Sequence, residues 1–305
     1  MVDNEIDGDL EREYSPSLHT KRFQDCDKPN EEVLKNFVNV SREATSLARR
    51  LYKTRLDIRY GGKNDNQLLD IYYKEQEHDT PILVFIHGGY WQELDKSTAG
   101  PIVHTFVEHN YRVLLVDYDL CPNVTLEQLT QQITNFYKWL KIYAHNTGAT
   151  KISICGHSAG AHLALQLFDD EFSKLQFSLD FIDHVFLISG LYDLRQLWLL
   201  NCTNSNNLLG LDDNSATKLS PICCEYNDEL IDKYRQQNIH LHLIVAENDS
   251  SIFKTQSQNY AHKLMQLNMN VNYRVFKCYD HFDIIEECSN SSSDISRYMK
   301  NEMKI

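Results

Sequence analysis

From residue 81 onward, short apolar runs alternate with segments of helical pattern, and that alternation restricts the chain to an α/β fold of βαβ units around a mostly parallel sheet. Strands are expected in PILVFIHGG (81–89), YRVLLVDYDL (111–120), KISICGHS (151–158), DHVFLISG (183–190), HLHLIVAEND (240–249) and NYRVFKCYD (272–280). Six such runs suffice for a doubly wound sheet. Between the second and third, LEQLTQQITNFYKWLKIYA (126–144) sets Leu129, Ile133, Phe136 and Leu140 at steps of four, three and four, the spacing of a crossover helix with one buried stripe. Upstream, LDIRYGG and QLLDIYYK flank turn-forming residues and predict an antiparallel hairpin at the N-terminal edge of the sheet. EEVLKNFVNVSREATSLARR, with acids at its start, predicts an outlying helix, and residues 1 to about 30 are polar and irregular. Residues 1–50 thus read as an N-terminal extension and helix. The stretch from about 191 to 234 is too long for a simple crossover and is expected to form a small cap-like insertion over a site.

A chain of 305 residues can bury a large core, and without a repeat, low-complexity tract or Gly/Ser linker it reads as one domain spanning 1–305. Its 43 acidic and 30 basic residues give a formal charge of -13, which disfavours nucleic acid and acidic membrane surfaces as partners. No run approaches the roughly 20 apolar residues of a membrane span. The opening MVDNEIDGDLEREY has neither the basic start nor the apolar core of a secretory signal, so a cytoplasmic protein is the expectation. The eight cysteines are scattered without zinc or disulfide spacing and read as reduced thiols. Adjacent Cys223 and Cys224 have no second ligand pair at metal spacing, and no metal is expected. No pattern fixes the oligomeric state, and a homodimer is compatible with the sequence.

The chemistry concentrates at Gly156-His157-Ser158-Ala159-Gly160, a G-x-S-x-G motif that ends the apolar KISIC run and opens the helical AHLALQLF. Alone the motif is common. Between strand and helix it describes a turn so tight that side chains at the two glycine positions would clash, which forces the serine Oγ out at the carboxyl end of the sheet. An earlier strand ends in His87-Gly88-Gly89-Tyr90-Trp91, where a backbone amide of Gly88 or Gly89 would join that of Ala159 in an oxyanion hole.

The order Ser, acid, His is completed by Asp249, at the end of HLHLIVAEND, and by His281, just after NYRVFKCYD. An acid there fixes the imidazole tautomer that can take the serine proton and stabilises the imidazolium that forms. Glu247, Asp193, Asp280 and Asp283 stand as rival acids. His87 and His157 lie inside the motifs and His162 one turn into the helix, none in the loop after the last strand. The expected catalytic residues are therefore Ser158, Asp249 and His281.

These residues, together with Glu13-Tyr14-Ser15-Pro16-Ser17 and Ser189-Gly190-Leu191-Tyr192-Asp193-Leu194, resemble the kynurenine formamidase (arylformamidase) family of α/β-hydrolases, most closely its animal members. The resemblance spans most of the chain. It implies the α/β-hydrolase fold, hydrolysis of N-formyl-L-kynurenine to L-kynurenine and formate in tryptophan breakdown, no metal or organic cofactor, and the Ser158, Asp249 and His281 triad. One departure stands out, since related esterases carry HGGG where this chain has Tyr90 and Trp91 after the second glycine. That pair is expected to narrow the pocket and pack on the aromatic ring of a small-molecule substrate. Two alternatives use the same sequence features: a carboxylesterase of broader specificity, and a non-catalytic binding protein on a hydrolase fold.

Overall fold

The structure, a computed structural model, describes residues 8–62, 66–168 and 182–305. The opening MVDNEID and the hairpin-turn residues 63–65 lie outside them. Eight strands form one sheet: β1 (Lys53–Arg59), β2 (Leu68–Tyr73), β3 (Ile82–Ile86), β4 (Arg112–Val116), β5 (Ile152–His157), β6 (Ile182–Ile188), β7 (His240–Ala246) and β8 (Asn270–Phe276). Their spatial order is β1-β2-β4-β3-β5-β6-β7-β8. The expected edge hairpin is there, with β2 antiparallel to both β1 and β4, and every other pairing is parallel.

The apolar runs are continuous because both faces of the sheet are covered. In β3, Ile82, Val84 and Ile86 join one core cluster while Leu83 and Phe85 join the other. The edge strands lack such runs for the complementary reason. In β1 and β8 most residues are exposed or half-buried, and charged or amide side chains on an edge discourage pairing with another chain.

Four helices matter for the site: α1 (Gly8–Glu13), α2 (Pro29–Leu51), α3 (Leu126–Asn146) and α4 (Ala159–Ala164). The crossover helix α3 buries Leu129, Ile133, Phe136 and Leu140 as their spacing predicts, and starts with a Thr125–Gln128 capping box. Helix α2 corrects the sequence reading, because it does not lie apart from the body. Val33, Phe37, Ser41, Thr45 and Ala48 form one buried stripe, and a Cβ at Gly100 would strike the Thr45 backbone and side chain. The segment before it, expected to be irregular, contains α1 and a single 3-10 turn at Pro16–Leu18.

The two motif glycines are required by close backbone contact. A Cβ at Gly160 would run into the carbonyls of Ile86 and His87, and one at Gly156 would lie 2.6 Å from the Gly160 carbonyl carbon and 2.7 Å from Ala161 Cα. Neither neighbour is a flexible side chain. Gly160→Ala is accordingly expected to lose roughly 3 kcal/mol of stability, the upper end for overpacking. A urea unfolding midpoint unchanged from the parent would show that the elbow has room the geometry denies.

Candidate active site

The strands β3, β5, β6, β7 and β8 are consecutive neighbours in the sheet, so the loops leaving their carboxyl ends meet at one edge. In register, Ile86 pairs with Gly156, Ile188 with Ile244 and Ala246 with Phe276. Residues spread over almost 200 positions, from His87 to His281, are thereby brought together. In an open parallel sheet this is the place where ligands bind, beside the point at which strand order reverses.

Ser158 sits between β5 and α4 with φ 53° and ψ -121°, a conformation that costs a non-glycine residue about 1–3 kcal/mol. Its own amide donates to the Ile188 carbonyl at 2.9 Å, which ties the turn to β6. The first hydrogen bond inside α4 is donated by Ala161 to Ser158 O at 3.0 Å, so the Ala159 amide precedes the helical ladder. Gly88 packs against this elbow, where an added Cβ would lie 3.0 Å from both Ser158 Cβ and the His157 carbonyl oxygen. Gly89 has φ 101° and a carbonyl that accepts from the amides of Gln92 and Glu93, each at 2.9 Å. Only glycine takes that backbone shape without strain.

His281 and Asp249 are both buried, with His281 Nδ1 2.7 Å from Asp249 Oδ1. The other carboxylate oxygen accepts from the Ser189 hydroxyl at 2.5 Å and from the Ala246 amide at 3.2 Å. With the carboxylate acting only as acceptor, the imidazole proton sits on Nδ1 and leaves Nε2 free to accept. The rings of Phe253 and Phe282 meet the imidazole edge-on, with centroids 4.9 and 5.3 Å away. His157 adds a further constraint. Burial, followed by the nearby His281, holds its imidazole well below the ordinary histidine value, and the neutral ring spends Nε2–H on the His281 carbonyl at 2.8 Å.

Ser158 and His281 line one cavity of about 280 Å³. Phe37, Tyr90, Leu94 and Phe282 give it an apolar wall, and Ser15, Ser17, Gln92 and Glu93 supply polar groups. Among the described residues no cluster of three or more His, Cys, Asp or Glu could hold a metal ion, and none of the eight cysteines is joined in a disulfide. No described helix is long and apolar enough to cross a membrane.

The chain is 40% identical to the kynurenine formamidase of Drosophila melanogaster over 96% of each sequence. It belongs to the kynurenine formamidase family. The kynurenine formamidase of Salmo salar is 31% identical, over 92% of this chain and 90% of that one. Residues 69–181 match the BD-FAE family model, which takes in β2 to the elbow. Among solved structures, esterase B from Lactobacillus rhamnosis superposes with a TM-score of 0.67 at 19% identity, covering 90% of this chain and 92% of the other. At that identity the likeness concerns the fold, which is the α/β-hydrolase fold.

Against this family background the rival acids separate by their partners. Glu247 is exposed and accepts from the Cys278 amide, Asp193 pairs with Arg195, and Asp280 pairs with Arg22. Of the five carboxylates considered, Asp249 is the one whose hydrogen bonds include His281. His162 is fully buried, donates its Nε2–H to the Leu219 carbonyl at 2.8 Å, and has its imidazole pushed down to about 4 by burial. His87 stacks on Tyr118 with centroids 4.3 Å apart and props the glycine loop.

The aromatic pair after the glycines divides. Tyr90 lines the cavity and donates its hydroxyl to the Tyr14 carbonyl at 2.6 Å. Trp91 does not line it, which corrects the expectation that both rings would pack on a ligand. With φ of 47° and 61°, Tyr90 and Trp91 continue the left-handed turn begun at Gly89, and the turn swings the indole into the core, edge-on to His162 at 5.2 Å.

The cavity roof also differs from expectation. Of the 191–234 segment only Cys202 lines it, whereas Tyr14 to Ser17 and the α2 residues Leu34, Phe37 and Val38 do so from the N-terminal side. Ser189, His157 and this N-terminal segment are the functional positions that sequence reasoning missed. The EYSPS and SGLYDL stretches were visible signals, but neither carries a spacing that discloses what it touches.

Proposed function

We propose that this protein hydrolyses N-formyl-L-kynurenine to L-kynurenine and formate through a formyl-serine intermediate. The observation that carries the proposal is Ser158 and His281 on one cavity wall, with Asp249 hydrogen-bonded behind the imidazole, in a chain so similar along its length to named formamidases. In the proposed course, His281 Nε2 takes the Ser158 proton as Oγ bonds to the formyl carbon. The amide of Ala159 with that of Gly88 or Gly89 holds the oxyanion, each donor contributing about 3 kcal/mol to barrier lowering.

Collapse of that adduct breaks the carbon–nitrogen bond, and the proton on His281 goes to the departing arylamine. Water then gives a proton to His281 and attacks the formyl ester, after which formate leaves and Oγ regains its proton. No metal or organic cofactor enters any of these steps. Tyr90, with Phe37 and Phe282, would lie against the substrate's ring. The reaction needs nothing from a nucleic acid, a membrane or a second protein.

Turnover of N-formylkynurenine by the purified protein tests the assignment directly. Its kcat/KM is expected to exceed that for short acyl esters such as p-nitrophenyl acetate by at least roughly tenfold, because the pocket contacts distinguish the two. A preference for the esters would replace the proposal with a broad carboxylesterase. Failure of a fluorophosphonate to label Ser158 would favour a non-catalytic binding protein.

A further inference from the structure

We propose that Arg22 is a positioning residue for His281, acting from an N-terminal strap that is part of the active site. The proposal rests on the reading of His281 as the base. Arg22 faces the loop that carries the imidazole and engages it with its whole guanidinium. Nε and Nη2 donate to the two oxygens of Asp280 at 2.8 and 3.2 Å, while Nη1 and Nη2 donate to those of Glu286 at 2.7 and 3.2 Å. Asp280 immediately precedes His281. Its carboxylate also receives the Thr20 hydroxyl at 2.5 Å and, in return, fixes the loop from within by accepting the amides of Phe282 and Asp283 at 2.9 Å each.

Charge explains why an arginine stands there. Asp280, Asp283 and Glu286 converge on a mostly buried spot, where Arg22 is the cation bridging them. Burial alone would push Asp280 up, but the hydrogen bonds from Arg22 and Thr20 outweigh it and hold the carboxyl below its ordinary value. Asp283, 3.6 Å from the guanidinium, goes the other way, pushed up to about 7 by burial and then by the charge of Asp280. Asn36 of α2 donates to Glu286 at 3.2 Å and extends the same clamp to the helix that walls the cavity. A planar fork satisfies two carboxylates at once in a way no lysine can.

The strap reaches the other site loops as well. Glu13 accepts from the Ser251 hydroxyl at 2.6 Å and the Ile252 amide at 3.1 Å, two and three residues beyond Asp249. The Tyr14 hydroxyl accepts from Gln256 at 2.9 Å, and its carbonyl receives Tyr90. Residues 13–22 thus touch the loops of His281, of Asp249 and of the two glycines while forming part of the cavity wall. A misplacement of about 1 Å in a reacting group can cost on the order of a hundredfold in rate, so a clamp one residue from the imidazole bears on catalysis and not only on stability.

The test compares Arg22→Ala, Arg22→Lys and Thr20→Val in the full chain, with His281→Ala as control, for kcat, KM, the rate of fluorophosphonate labelling of Ser158 and the thermal midpoint. Arg22→Ala is expected to lower kcat and the labelling rate together by roughly tenfold or more, with KM changed far less, and Arg22→Lys to recover part of the loss. Parental kcat and labelling in Arg22→Ala, measured where the variant is folded, would overturn the proposal whatever the change in midpoint. Should Arg22→Ala not fold, the other two variants decide, and parental kcat in both overturns it. An active His281→Ala would instead remove the base assignment beneath it, so the two failures are distinguishable.

Discussion

Ser158→Ala is expected to reduce turnover of N-formylkynurenine on the order of 10⁵- to 10⁶-fold while leaving the protein folded. The size follows from the proposed covalent route. Without Oγ there is no formyl-enzyme, and what remains is the help that oxyanion donors and binding give to direct attack by water. The small structural cost follows from position. Oγ faces a cavity, and alanine inherits the same strained backbone at φ 53°, so the unfolding free energy should move by no more than about 0.5 kcal/mol.

His281→Ala should match the loss in turnover but not the tolerance. It strips Asp249 Oδ1 of its 2.7 Å partner in a buried site, at a cost of about 1–3 kcal/mol. Because nucleophile and base act as a unit, the double variant should be no slower than either single one. Rates for Ser158→Ala within a hundredfold of the parent would rule out nucleophilic catalysis by this residue.

What could be read ahead of the structure was whatever depends on short-range pattern. A strand buried on both faces shows as an unbroken apolar run, so β3 to β7 were legible. An elbow that tolerates no Cβ at Gly156 or Gly160 shows as two glycines. Once those strands are placed, chain order alone puts Asp249 and His281 at the sheet's rim.

Long-range side-chain pairing leaves no such trace. Arg22 and Asp280 are 258 residues apart, and nothing local to Thr20-Lys21-Arg22 announces a clamp on the far end of the chain. Helix α2 was legible as a helix but not as a wall of the cavity, because Leu34 and Phe37 look alike in a periodic pattern until a partner is known. Trp91 misled for a related reason. The HGG sequence discloses a turn, but which way an aromatic ring leaves that turn depends on the φ of 61° that the loop imposes.

Asp249→Asn should lower kcat on the order of 10⁴-fold, the size of the effect when an imidazole loses its orienting carboxylate. Both carboxylate oxygens are occupied as acceptors here, Oδ1 by His281 and Oδ2 by Ser189 and the Ala246 amide. An asparagine must turn its NH2 to one side. Turned toward His281 it needs Nδ1 as acceptor, which moves the ring proton to Nε2 and blocks uptake of the serine proton. Turned the other way it opposes the Ala246 N–H, which cannot change role, although the Ser189 hydroxyl can rotate to accept. The orientation that keeps Nδ1–H therefore strains the loop after β7 and still leaves the imidazolium without a charge beside it.

Ser189→Ala supplies the graded comparison, since it removes one donor to Oδ2 and leaves the carboxylate charged. A loss of roughly tenfold is expected there, about 1.4 kcal/mol of transition-state stabilisation. Combining the two changes should cost less than their sum, because both act through the same carboxylate. The discriminating measurement is kcat across this pair and their double variant. If Asp249→Asn stays within tenfold of the parent, the acid that orients His281 is another residue, and the 2.7 Å contact is only packing.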